Sequence, residues 1–264
     1  MRARLLEAGV RPSKRLGQHF LLMEELAHRM VEYASIQRGE VVLEVGPGLG
    51  VLTEALLRRA DRVVAIEVDP RLSAYLSRRF PDLELVEGDV LHADLPPFDR
   101  VVSNLPYEIS SPFTFKLLDT SFKRAVLTYQ REFAERMVAG HGTKTYSRVS
   151  VKVYYRCLAR ILETVPRSAF WPQPKVDSAV VQIDTRPPPF QVDEAGFQRV
   201  VDALFAHRRK TALNALLHSW QRLAPSRDQL KAVLVGTPFA SKRAEEMSPE
   251  EMAELSSLLF PPKG

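Results

Sequence analysis

The sequence predicts an α/β fold with a mainly parallel sheet, followed by a small helical domain. Three observations predict it. Short apolar runs of strand length alternate with amphipathic helical stretches from Met23 to Gln130. A glycine-rich turn, GPGLG (Gly46–Gly50), joins one of those runs directly to a helix. A proline-rich break, TRPPPF (Thr185–Phe190), separates the alternation from a tail in which every apolar pattern has helical spacing. Strands alternating with helices through short loops make parallel sheets, because each crossover returns the chain in the same direction.

The elements follow in order. MEELAHRMVEYASI (Met23–Ile36) places Leu26, Met30, Tyr33 and Ala34 on one face, the mark of an amphipathic helix, with Gly39 as its stop. VVLEV (Val41–Val45) is a short apolar strand, then come GPGLG and the helical VLTEALLRRA. RVVAIEV (Arg62–Val68) is a second buried strand, followed by a helix around Ser73–Arg79 and a third strand, LELVEG (Leu83–Gly88). RVVSNL (Arg100–Leu105) and RAVLTYQ (Arg124–Gln130) are the fourth and fifth. SRVSVKVYYR (Ser147–Arg156), with valines on alternate positions, and SAVVQID (Ser178–Asp184) are the late strands. Behind the proline break, FQRVVDALFAHRRKTALNALLHSW repeats apolar residues every three or four positions. Ser248-Pro249-Glu250-Glu251 supplies a cap, a proline at the first helical position and an acid three residues on. The domains are therefore placed at 1–184 and 185–264.

Composition narrows the function. The 264 residues are 45% hydrophobic and 26% charged, which excludes disordered and collagen-like chains. Cys157 is the only cysteine, so no internal disulfide is possible and a reducing compartment is expected. No apolar run approaches the roughly 20 residues that span a bilayer, and the N-terminus lacks the apolar stretch of a signal peptide. These features predict a soluble, cytoplasmic protein without a membrane partner. The formal charge is +5, unevenly spread. Residues 1–20 carry five basic residues (Arg2, Arg4, Arg11, Lys14, Arg15) against Glu7, and Lys144–Lys175 carries seven against Glu163. Glu40–Arg100 has twelve acids against seven arginines. Basic segments flanking an acidic centre suit a polyanion held beside a site for a different ligand; an ordinary solvated surface is the alternative.

Gly46, Gly48 and Gly50 allow a sharp turn and close approach to a ligand. Glu67 ends the next strand, 21 residues after Gly46, where a carboxylate can accept from both hydroxyls of a ribose. Asp89, at the end of the third strand, can accept from an adenine amine. A dinucleotide fingerprint requires glycine three positions after Gly48, but that position is Val51, and the loop lacks the G-K-[ST] ending of nucleotide phosphate loops. Glu44 beside the turn repels a pyrophosphate and suits a cationic, amino-acid-bearing ligand. S-adenosylmethionine, with a sulfonium, an ammonium, a ribose and an adenine, fits this set. The alternative is a tight turn bearing two surface acids.

Asn104-Leu105-Pro106-Tyr107 follows the fourth strand, at the carboxyl edge where open α/β sheets bind ligands. The exocyclic amine of adenine is a poor nucleophile because its lone pair is delocalised into the ring. Two acceptors, the Asn104 side-chain oxygen and the Leu105 carbonyl, can take its two N–H groups and favour rehybridisation, so that positioning and electrostatics replace a strong base. Pro106 fixes the backbone, and Tyr107 offers a stacking face. A β-to-loop turn with a buried tyrosine is the alternative.

This ordered set of motifs resembles the small-subunit rRNA adenine N6,N6-dimethyltransferases. The resemblance runs from LGQHFL (Leu16–Leu21) through EVGPGLGVLT, IEVD (Ile66–Asp69), GDV (Gly88–Val90), NLPY and FWPQPKVDSAVV (Phe170–Val181) to LFAHRRKT (Leu204–Thr211). It implies a Rossmann-like S-adenosylmethionine-dependent methyltransferase core with a small C-terminal all-helical domain for RNA recognition. It implies that His19 and Leu21 contact the cofactor, Gly46 its amino-acid end, Glu67 the ribose and Asp89 the adenine, with Asn104 bridging cofactor and target. Many relatives have asparagine where this chain has His19, which leaves side-chain and backbone contacts both open. Phe170 is implied to stack on the flipped adenine opposite Tyr107, since a base drawn out of its stack needs an aromatic replacement; a core phenylalanine under a proline loop is the alternative. Arg208, Arg209 and Lys210, extended by Lys144 and Arg148, are expected to grip RNA phosphates, against a solvated helix face.

The function expected is dimethylation of two adjacent adenosines near the 3′ end of small-subunit (16S) rRNA by a monomer that uses S-adenosylmethionine and no metal. The rival expectations are the large-subunit enzyme of the macrolide-resistance type and a non-catalytic ribosome-assembly or nucleic-acid-binding factor on the same fold. NLPY with LFAHRRKT favours the small-subunit branch, and the intact loop, Glu67 and Asp89 favour an enzyme.

Overall fold

The computed structural model describes residues 2–13 and 16–262; Lys14 and Arg15, two of the N-terminal basic residues, lie outside the described residues. The chain begins with α1 (Arg2–Ala8) and a two-residue strand, β1 (Phe20–Leu21). Next come α2 (Glu24–Ala34), β2 (Val41–Val45), α3 (Val51–Leu57), β3 (Arg62–Glu67), α4 (Pro70–Arg79), β4 (Glu84–Glu87) and β5 (Arg100–Asn104). They are followed by α5 (Ser110–Leu118), β6 (Arg124–Gln130), α6 (Arg131–Met137), α7 (Arg148–Arg156), β7 (Cys157–Val165), β8 (Phe170–Trp171) and β9 (Ser178–Thr185). The tail contains α8 (Glu194–Ala206), α9 (Ala212–His218), α10 (Arg227–Leu234) and α11 (Pro249–Leu259).

Among the described residues the main sheet has seven strands in the order β4-β3-β2-β5-β6-β9-β7. The five from β4 to β6 are parallel, and β9 runs antiparallel to β6. The central strands are apolar without alternation because helices cover both faces: β3 buries every residue after Arg62, and β6 buries Ala125–Tyr129. The strand order reverses between β2 and β5, so their carboxyl ends open a crevice. α2 ends at Ser35, in the left-handed region (φ 50°), four residues before the expected stop at Gly39. Asp69 accepts from the Arg71 N–H (3.1 Å) with Pro70 at the first helical position, which starts α4 where β3 has just delivered Glu67.

The α/β expectation holds, with two differences. SRVSVKVYYR is helical, not extended. Ser150 Oγ accepts from the Ser147 N–H (3.0 Å) at its start, and Val151 and Tyr155 join Tyr146 in a core with Phe197, Val200 and Leu204. That packing outweighs the strand preference of alternating valines. The strand falls instead on CLARILETV, Cys157–Val165, whose apolar residues are interrupted by Arg160 and Glu163. Accordingly, the chain divides into two compact units, 1–134 with 159–185 and 135–158 with 186–264. The break at 185 is present, but the first unit does not run unbroken to 184, because residues 135–158 belong to the core of the C-terminal helices. No helix among the described residues is long and apolar enough to cross a membrane.

Candidate active site

The carboxyl ends of β2, β3 and β5 and the segment 16–21 surround a cavity of about 180 Å³. The glycine turn forms its floor. Gly46 has φ +65°, and its N–H donates to the Ile66 carbonyl (2.9 Å), tying the turn to β3. A Cβ there would stand 3.3 Å from Pro106 Cδ, so the missing side chain lets the NLPY segment close over the turn. Gly48 (φ +59°) packs under Phe20, and its N–H donates to Glu67 Oε2 (3.2 Å).

Glu67 is 3% exposed. Its Oε1 accepts from the Asp69 N–H (2.9 Å). Burial pushes its pKa up, and the backbone donors of Asp69 and Gly48 pull it back. Each carboxylate oxygen has one further lone pair, which leaves two acceptors for a vicinal diol. Asp89 is fixed by the Leu91 N–H (2.9 Å) and His92 Nδ1 (2.9 Å), and the Leu91 bond holds its pKa below the usual carboxylate range. The loop it starts is held from α5: Lys116 Nζ donates to the carbonyls of Val90 (2.8 Å), Leu91 (3.3 Å) and Ala93 (2.5 Å). Glu44 lines the cavity but differs from the carboxylate expected there. Burial pushes its pKa up to about 8, against the opposing pull of Thr53 Oγ1, which donates to it (2.7 Å), so the protonated form is favoured at neutral pH.

At the other wall, Asn104 is held at both ends of its amide. Nδ2 donates to the His19 carbonyl (3.1 Å), and Oδ1 accepts from Thr128 Oγ1 (2.6 Å). Thr128 is fully buried and lies opposite Asn104 in the β5–β6 register. The His19 carbonyl is thus engaged by Asn104. The His19 ring is used elsewhere, with Nδ1 on the Pro172 carbonyl (2.6 Å) and the ring 5.4 Å from Tyr107. Tyr107 is fixed at its far end by Ser178 Oγ (2.5 Å). Leu105 and Pro106 complete the wall.

Of the residues expected at the site, His19, Leu21, Gly46, Glu67, Asp89 and Asn104 through Tyr107 line this one cavity, with Gly48 supporting Glu67. Phe170 does not. It lies opposite Leu21 in the β1–β8 pair, is 1% exposed, and sits in the core with Leu21 and Ala169, so no ring face is open to a base. The sequence reading missed Thr128, Ser178, Lys116 and Pro172. Each acts through a partner more than ten residues away in sequence, and only strand register or helix placement reveals it.

The basic residues expected on RNA lie in the C-terminal unit and fall into two kinds. Arg208 is tied down, with Nε on Glu245 Oε2 (2.8 Å) and an Nη on the Lys144 carbonyl (2.6 Å), and Arg148 pairs with Asp202 (3.5 Å). Arg209, Lys210 and the Lys144 side chain are exposed, as is Arg148 despite its ion pair.

Residues 10–252 match the family model described as ribosomal RNA adenine dimethylase. The chain is 46% identical over 253 residues to a protein of Thermococcus kodakarensis named "Probable ribosomal RNA small subunit methyltransferase A", covering 94% of this chain and 90% of the relative. It is 47% identical over 249 residues to the Methanosarcina acetivorans protein of the same name, covering 92% of each. Among solved structures it is similar to a dimethyladenosine transferase from Plasmodium falciparum, with TM-score 0.76, 32% identity, and 90% and 96% of the two chains covered. It is also similar to the 23S rRNA methyltransferase ErmE, with TM-score 0.67, 29% identity, and 91% and 99% covered.

Proposed function

The chain belongs to the ribosomal RNA adenine dimethylase family, and on that premise we propose that it transfers methyl groups from S-adenosylmethionine to N6 of two adjacent adenosines near the 3′ end of small-subunit (16S) rRNA. The product is N6,N6-dimethyladenosine, made during small-subunit biogenesis by a cytoplasmic monomer. The observation that carries the reading is the Asn104 amide, locked by His19 and Thr128 at the mouth of a cavity that also holds a buried ribose acceptor. The small-subunit names of the archaeal relatives support that branch over the large-subunit one.

The residues present fit the cofactor: Glu67 retains two acceptors for its ribose, Asp89 presents a carboxylate toward adenine, and the Gly46 turn leaves room for the amino-acid end. S-adenosylmethionine bound there supplies an electrophilic methyl group on a sulfonium. The chain supplies position and polarity. Asn104 Oδ1, with one lone pair committed to Thr128, offers the other to one N–H of the target amine, and the Leu105 carbonyl takes the second. Both acceptors favour the rehybridised amine over the conjugated one and so would ready its lone pair for a methyl group. Tyr107, held by Ser178 and flanked by His19, stacks on the base. Phe170, closed into the core, packs in the same cluster as Leu21. Arg209, Lys210 and Lys144 meet phosphates, while Arg208 and Arg148 shape the fold that presents them.

The test is Asn104→Ala, assayed for methyl transfer and, separately, for cofactor binding by calorimetry. Transfer is expected to fall by a factor on the order of 10² or more, with cofactor binding and the far-UV spectrum retained. Turnover equal to that of the unsubstituted enzyme would remove Asn104 from the chemistry.

A further inference from the structure

Trp171 is the large aromatic side chain beside the cavity that the methyl-transfer reading leaves without work. Its strand, β8, pairs with β1 so that Trp171 stands opposite Phe20 and Phe170 opposite Leu21. Directly opposed residues of an antiparallel pair project from the same face. Phe20 and Leu21 both line the cavity, so β8 runs beside it, and the two residues of β8 project to opposite faces of the pair. The next residue, Pro172, holds the His19 ring by its carbonyl, and that ring lies 5.4 Å from Tyr107. Phe170 is 1% exposed, whereas Trp171 is 42% exposed. Among the described residues the indole has no aromatic, cation–π or side-chain hydrogen-bond partner. Arg167 and Lys175, in the flanking turns, are exposed.

We propose that Trp171 is a stacking platform for a second nucleobase, a neighbour in the RNA strand of the adenosine held at Tyr107. The proposal rests on the methyl-transfer reading for the identity of the first base. An open indole between exposed cations is the arrangement that single-stranded nucleic acid selects, with the base on the ring and its phosphates on the flanking charges. A protein partner fits less well, because one indole and the neighbouring exposed Val176 are far short of the roughly 800 Å² per side of a stable protein interface. An adenosine drawn out of its stack leaves its neighbour with one face bare, and Trp171 covers such a face.

Two measurements test the platform. In steady state, Trp171→Ala is expected to raise KM for the small subunit by on the order of tenfold, with kcat and cofactor affinity unchanged, and Trp171→Tyr is expected to restore most of the loss. By fluorescence, the chain has only two tryptophans, Trp171 and Trp220, so Trp220→Phe isolates the first and Trp171→Phe the second. Titration with a short adenosine-containing single-stranded RNA is expected to quench Trp220→Phe and to leave Trp171→Phe unaltered. An unchanged KM in Trp171→Ala, or no quenching in Trp220→Phe, overturns the platform. Failure of the methyl-transfer reading looks different: the unsubstituted protein then methylates no small subunit, and the quenching experiment still decides on Trp171.

Discussion

Asn104 shows how much of a side chain's function lies in its neighbours. Free in solution its amide turns; here Thr128 and the His19 carbonyl fix which end is the oxygen and where it points. The sequence marks Asn104 because it follows a strand and precedes Leu-Pro-Tyr, but Thr128 is one threonine in a buried strand, and only the β5–β6 register makes it a positioning residue. Phe170 marks the opposite limit. Sequence and resemblance place an aromatic near the site, and only the packing shows that Phe170 is closed into the core while its neighbour Trp171 is exposed. Glu44 is legible as an acid beside the turn, but its burial, and therefore its protonation, is not. That burial has a measurable consequence. A carboxyl whose pKa is raised in the folded state stays protonated while its unfolded counterpart ionises, so stability falls as pH rises from about 4.5 to about 8. Glu44→Gln keeps an acceptor for Thr53 and removes this loss. Its melting temperature relative to the unsubstituted protein is expected to climb by at least about 4 °C between pH 5 and pH 8; parallel curves would show Glu44 to be ionised in the fold.

Among the elements, the β-strands that carry the site are readable because each is a short apolar run ended by a glycine turn or by a polar residue with chemistry to do. Val41–Val45, Arg62–Glu67 and Arg100–Asn104 match their expected spans to within about one residue. Ser147–Arg156 was unreadable because its valines alternate, and the tertiary partners that fold it as a helix lie about fifty residues on. The loop after β4 depends on an element outside its own sequence. Lys116, from α5, donates to three carbonyls of residues 90–93 and thereby fixes the approach of Asp89 to the cavity. Lys116→Met removes those donors and leaves the NLPY segment untouched. KM for S-adenosylmethionine is expected to rise roughly tenfold with kcat nearly constant, the signature of lost uniform binding. A fall in kcat at unchanged KM would place Lys116 in the chemical step instead.

For the whole molecule, the charge pattern and the two-unit division bear on how the chain meets RNA and how it folds. The acid-rich centre, Glu40–Arg100, contains Glu67 and Asp89, which line the cavity, while basic residues gather before and after it. The division is not the one that the proline break suggests. Tyr146, Val151 and Tyr155, at 1%, 0% and 5% exposure, are core residues of the C-terminal unit. A chain cut after 184 therefore exposes a helix whose partners have been removed, and it is expected to aggregate or to bind a hydrophobic dye that the full chain ignores. A soluble, dye-silent 1–184 fragment would show that residues 135–158 pack without the tail. Labelled methyl transfer from S-adenosylmethionine to unmethylated small and large subunits, followed by nucleoside analysis, decides the reaction itself. The site and the family predict N6,N6-dimethyladenosine in the small subunit alone; label in the large subunit, or none in either despite bound cofactor, would contradict it.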